Sequence, residues 1–104
     1  MNVAPQCAAP AAGAFSAAGN SWRFEGALTL DNAADVLQAS RALAWPATDR
    51  IDMSGIVRAD SAALAVVIAI RRRAAAEGRL IAIEGLPQSL QSLAVVYGVE
   101  SLLA

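Results

Sequence analysis

The sequence predicts an α/β fold: one small mixed β-sheet, a hairpin plus parallel strands, covered by about three to four helices. Three observations predict it. Short alternating apolar runs, bounded by Gly, Asn and Pro, are interleaved with longer stretches of helical period. The large aliphatic residues concentrate between Ile51 and Leu103. The segment from Ile51 to Tyr97 reads strand, helix, strand, helix, an order that requires parallel strands joined by a crossover helix. With 104 residues the chain fits one domain with a modest core.

Phe15 to Ala18 is a short candidate strand, and Gly19-Asn20-Ser21 is a turn cluster. From Trp22 to Leu28, Trp22, Phe24 and Gly26 alternate with Arg23, Glu25 and Ala27, so the two strands make a hairpin. Thr29 or Asp31 then caps a helix with apolar Ala34, Leu37 and Leu43 and neighbours Val36 and Ser40. Trp45-Pro46 ends it, because the residue before proline leaves the helical region. Arg50 to Ser54 is a strand and Gly55 to Ala59 a loop. Ser61 to Glu77 is a helix stopped by Gly78. Leu80 to Ile83 is the last strand, closed by Glu84-Gly85. Pro87 suits the first turn of a final helix whose Leu90, Leu93, Ala94 and Tyr97 share one stripe. The lead from residue 1 to 14, rich in Ala and Pro, reads as a flexible tail before a domain spanning 15–104.

Composition excludes several classes of function. The net charge is −1 and all eight cations are Arg, which gives no pull toward nucleic acid or an anionic membrane. Trp22 and Trp45 lack the basic interleaving of a nucleic-acid surface. The single Cys7 cannot staple the fold, so a reducing compartment is expected. The lead has no basic start and no long apolar run, unlike a secretory signal. The longest apolar run, Ala62 to Ile70, is half or less of the roughly 20 residues that span a membrane. There is no histidine, which removes the commonest general base and metal ligand. One cysteine builds no zinc cluster. Neither "GLPQS" nor "GIVRADS" is a phosphate loop. Asp52 and Asp60, eight positions apart, are a weak carboxylate pair. No catalytic residue, cofactor or metal is expected, and the chain reads as a non-enzyme.

The stretch "RADSAAL" puts Asp60 and Ser61 against that apolar run. A helix start leaves backbone N–H groups without partners, and Asp or Ser at the cap accepts from them, worth about 1 kcal/mol. On the helix that follows, Leu64, Val67 and Ile68 point one way, while Val66 and Ile70 point well away from them. Either loops and the neighbouring helix cover the wider apolar arc, or part of it, with Ser61 at its tip, is a docking patch. Arg71-Arg72-Arg73 spans most of the helix circumference and reads as solvated charge near the C-terminal dipole; the alternatives are Arg72 or Arg73 pairing with a partner's acid and, behind that, a phosphate or anionic-lipid role.

The segment "IDMSGIVRADSAALAVVIAIRRRAAAEGRLIAIEGLPQSLQSLAVVYGVESLL" resembles the STAS domain family. A strand ending in Asp, a Ser-Gly loop and a second Asp followed by a hydroxyl carry the likeness. "FEGALTLDNAADVL" and "SLAVVYGVESLL" are most similar to its MlaB branch, small cytoplasmic subunits of phospholipid-transporting ABC systems. The resemblance implies a non-catalytic subunit that binds the transporter's ATPase and, through it, the permease. It places the chain in the cytoplasm, peripheral to the inner membrane and without direct insertion. It implies partner contacts at Asp60, Ser61 and Leu64, and at Tyr97 on the last helix. The alternative within the family is an anti-sigma factor antagonist switched by phosphorylation of Ser61. Ala62 and Ala63 stand where members often carry glycine, and Ser61 is the lone hydroxyl after Asp60, which weakens that alternative. A small-ligand or acyl-lipid pocket is a third class, limited by the size of the core. An exposed first strand also permits a homodimer in isolation.

Overall fold

The computed structural model describes residues 12–18 and 20–103. Strand β1 (Ala14–Ala18) and strand β2 (Ser21–Leu28) form the hairpin, with Phe15 opposite Phe24 and Ala17 opposite Trp22. Helix α1 (Ala33–Ser40) leads to strand β3 (Arg50–Ala59), which lies parallel to β2. Helix α2 (Ser61–Ala76) leads to strand β4 (Ala82–Glu84), parallel to β3. Helix α3 (Gln88–Val96) and a single 3₁₀ turn (Glu100–Leu102) follow. The sheet order is β1-β2-β3-β4, so each strand is laid beside its predecessor.

The expected tail over Met1 to Ala11, with Cys7, lies outside the described residues. Ala12 to Ala14, assigned to that tail by composition, instead belong to the sheet. Ala12 bridges Ala27, Gly13 donates its N–H to the Ala27 carbonyl at 2.8 Å, and Ala14 opens β1. Gly13 is buried against the Phe24 ring, where a side chain has no room.

Strand alternation decides which face is covered. Trp22, Phe24, Ile51 and Met53 are fully buried, while Arg23, Glu25, Arg50 and Ser54 between them are exposed. The helices therefore cover one face, and the other carries the pairs Arg23–Glu25, Arg23–Asp52 and Arg50–Glu84. Central α2 contributes Leu64, Val66, Val67 and Ile70 to the core, with Leu90 and Ala94 of α3 and Val36 of α1. Burying each large aliphatic side chain contributes about 1.5–3 kcal/mol.

Three boundaries differ from expectation, each for a tertiary reason. Helix α1 stops at Ser40 instead of Trp45. The chain tightens through i to i+3 bonds at Arg41, Ala42 and Leu43 and swings Trp45 back. Trp45 then stacks on Trp22 at 5.3 Å and donates its indole N–H to Glu77 at 3.0 Å. Strand β3 runs on to Ala59, through the segment expected as a loop. Two register shifts each give β3 one extra residue opposite β2, which scrambles the alternation that a sequence reader needs. Strand β4 is confined to Ala82–Glu84, which pairs with Arg50 to Asp52 at the start of β3, so Leu80 and Ile81 lie before it.

Candidate functional site

The site begins where β3 ends. Because β3 extends to Ala59, Asp60 sits at the far edge of the sheet as the extended cap of α2. Its Oδ1 accepts from the Ala62 N–H at 2.8 Å, satisfying one of the free donors of the helix start. Its Oδ2 accepts from the Leu30 N–H at 3.0 Å. One carboxylate thus caps α2 and fastens the loop between β2 and α1.

That loop is held from within as well. The Asn32 side chain accepts from the Thr29 N–H at 2.9 Å and donates to the Ala27 carbonyl at 2.8 Å. The Thr29 hydroxyl accepts from the Asp31 N–H at 3.3 Å. Asn32, rather than Thr29 or Asp31, occupies the cap of α1, but its side chain is spent on the loop and makes no capping bond. The result is a fixed loop whose apex, Leu30, is 79% exposed beside the exposed Ser61. Asp60, Thr29, Asp31 and Arg58 also line an open cavity of about 340 Å³.

Of the site residues expected from sequence, Asp60 and Ser61 are brought together at this edge. Leu64 is a correction. It is 3% exposed and belongs to the core, so it cannot touch a partner while the domain is folded. The wide apolar arc is likewise closed within the molecule. Val66 and Ile70 are buried in the core, on a helix that packs against both α1 and α3. Ser61, Ala65 and Arg72 mark the outward face, with Ile68 half-buried. Tyr97 is 58% exposed, next to exposed Val95 and Val96, but it lies elsewhere. The turn just beyond it is tied to α2 by Arg71, which donates to the Leu102 carbonyl at 2.8 Å. Arg71 is ten residues, about 15 Å, along the helix from Ser61.

Leu30 is the residue that sequence reasoning missed. Its signal was an apolar side chain inside a capping sequence, Thr29-Leu30-Asp31-Asn32, where alternation has already stopped. The arginine run was also misjudged. Arg73 lies over the Trp45 ring at 4.7 Å and donates to the Ser40 hydroxyl at 3.2 Å and its carbonyl at 3.3 Å. Burial there, with Arg41 nearby, lowers its pKa from the usual arginine value.

A family model described as "Mlab, STAS domain" matches residues 15–104. The chain belongs to the STAS domain family, in its MlaB-type branch. In this STAS domain the matched region takes in the sheet from Phe15 onward, the helices among the described residues and the Asp60 clamp. A search among curated proteins finds no match. Among the described residues, no helix is long and apolar enough to cross a membrane, and no His, Cys, Asp and Glu side chains group to hold a metal ion. Each Asp60 oxygen accepts one backbone N–H, from Leu30 and from Ala62.

Proposed function

We propose that this STAS domain is a non-catalytic subunit of a phospholipid ABC transporter. It binds the cytoplasmic ATPase subunit, peripheral to the inner membrane, and supports assembly and activity of that ATPase and, through it, the permease. The observation that carries the reading is the double use of Asp60, which fixes exposed Leu30 beside exposed Ser61 within an MlaB-type domain. A large exposed apolar side chain on a loop whose backbone is fastened gains from burial against another chain with less of the loop-ordering cost. Its effect on the ATPase is linkage: a subunit shifts a conformational equilibrium only through its differential affinity for the two states. The test is titration of the purified chain with the ATPase subunit of a phospholipid ABC transporter from the same source. The parent binds, and Leu30→Asp and Ser61→Glu lose binding while remaining folded. Undiminished affinity in both variants moves the interface elsewhere.

One observation favours a second reading, an anti-sigma factor antagonist. The Ser61 hydroxyl is exposed in the first turn of α2, where a phosphate suits the free N–H groups and the helix dipole. Phosphorylation adds about −1.5 to −2 charges, tolerated there by the domain and rejected by an apolar contact. Incubation with a cognate kinase and ATP, read by intact mass, separates the two readings. One stoichiometric phosphate on Ser61 favours the antagonist.

A further inference from the structure

We infer that the groove between the second half of α2, the approach to β4 and the C-terminal turn docks an acidic segment of a partner protein carrying an apolar anchor. The groove has a volume of about 220 Å³. Its floor and walls are Ile68, Leu80 and Leu102, and its rim carries Arg71, Arg72 and Arg79. Three of the eight arginines of a chain with net charge −1 meet here, and among the described residues no carboxylate lines the groove.

Among the described residues, the charge of the rim is only partly compensated. Arg79 is paired with Asp49. Arg71 donates to the Leu102 carbonyl, which fixes its position but leaves its charge uncancelled. Among the described residues, no carboxylate forms an ion pair with Arg71 or Arg72. The acids at the end of α2 and the start of the C-terminal turn face elsewhere. Glu77 accepts the Trp45 indole N–H, and Glu100 lines a different groove beside Leu86.

The apolar part is unusual for a charged rim. Leu80 is 80% exposed and Leu102 40%. Leu80 precedes fully buried Ile81, so the chain that holds Ile81 in the core turns Leu80 out. Cations around exposed leucines match an amphipathic segment with carboxylates flanking a leucine-sized side chain. A concave site favours such a segment over a bilayer, whose surface cannot follow it inward. This end of α2 is remote from Ser61, so the inference stands apart from the function proposed above. Arg72 lies eleven residues, about 16 Å, along the helix from Ser61.

The experiment titrates the full chain with the capped peptide EELLEE and follows backbone amide shifts by NMR. The expected result is a saturable shift centred on Ile68, Arg72, Leu80 and Leu102, weakened by added salt. Arg72→Glu, at an exposed position, reduces the affinity about fivefold or more, whereas Leu30→Asp leaves it unchanged. The inference is overturned if those amides do not move, or if the peptide KKLLKK binds as well as EELLEE. It is also overturned if phosphatidylglycerol vesicles move the same amides while EELLEE does not.

Discussion

Asp60 reaches across thirty positions of sequence to hold Leu30, its Oδ2 accepting the Leu30 N–H at 3.0 Å while Oδ1 caps α2 at Ala62. The two oxygens do separate tasks, so substitutions that remove one or both are distinguishable. Asp60→Ala should cost about 1–2 kcal/mol, the range for loss of a cap together with a second bond to a carboxylate. Asp60→Asn retains one acceptor oxygen and should cost less. Urea denaturation of the three proteins, with unchanged slope, gives the order parent, Asn, Ala. Equal loss in both variants would show that the bond Asn retains contributes nothing, and an Asn variant as stable as the parent would show the same of the bond it lacks.

Leu30 and Leu64 should respond oppositely to the same change. Leu30→Asp adds a charge in open solvent and should alter stability by about 0.5 kcal/mol or less. Leu64→Asp places an unpaired carboxylate in the core and should leave little folded protein, since about 3 kcal/mol or more is lost from a small total. Circular dichroism melts decide the matter. A folded Leu64→Asp variant would contradict its place in the core.

Trp45 joins the loop after α1 to the end of α2 through Trp22, Glu77 and Arg73. The contact of Arg73 with the Trp45 face should appear as a coupling of about 1 kcal/mol in a cycle of Trp45→Leu, Arg73→Leu and the double variant. Additive losses would reduce Arg73 to its hydrogen bonds with Ser40.

Asp52 supplies a pH-dependent contribution on the open face of the sheet. The Ser54 side chain, then its backbone N–H donating at 2.8 Å, then Arg23 at 3.6 Å hold its carboxyl below the ordinary 3.8. A depressed carboxylate stabilises fully above its unfolded pKa and loses that contribution as pH falls through the folded value. The stability difference between the parent and Asp52→Asn should therefore be constant near neutrality and shrink as pH drops below about 3.8. It should be small, because the side chain is about a third exposed. A difference that grows on acidification reverses the sign and rejects the assignment.

Gly78 tests a turn in isolation. Its φ is 79°, and a Cβ there meets nothing within 4 Å. Gly78→Ala should cost about 1 kcal/mol from the left-handed backbone alone. No loss in thermal melts would mean that the end of α2 reforms without it.

The sequence alone determined the order of most elements, the hairpin, the parallel βαβ unit, the cap at Asp60 and the family resemblance. These depend on signals with short range: a period of two or 3.6, glycine after a helix, a carboxylate before one. Tertiary structure decided the rest, because it depended on which elements meet. It carried β3 through two register shifts to Ala59, drew Trp45 out of the α1 helix onto Trp22, and buried Val66 and Ile70 in the core. It also made Leu64 core and Leu30 surface. Each is a leucine near the start of a helix, and the packing of α2 against α1 and α3, with one carboxylate bonding to the loop after β2, sets their opposite exposures.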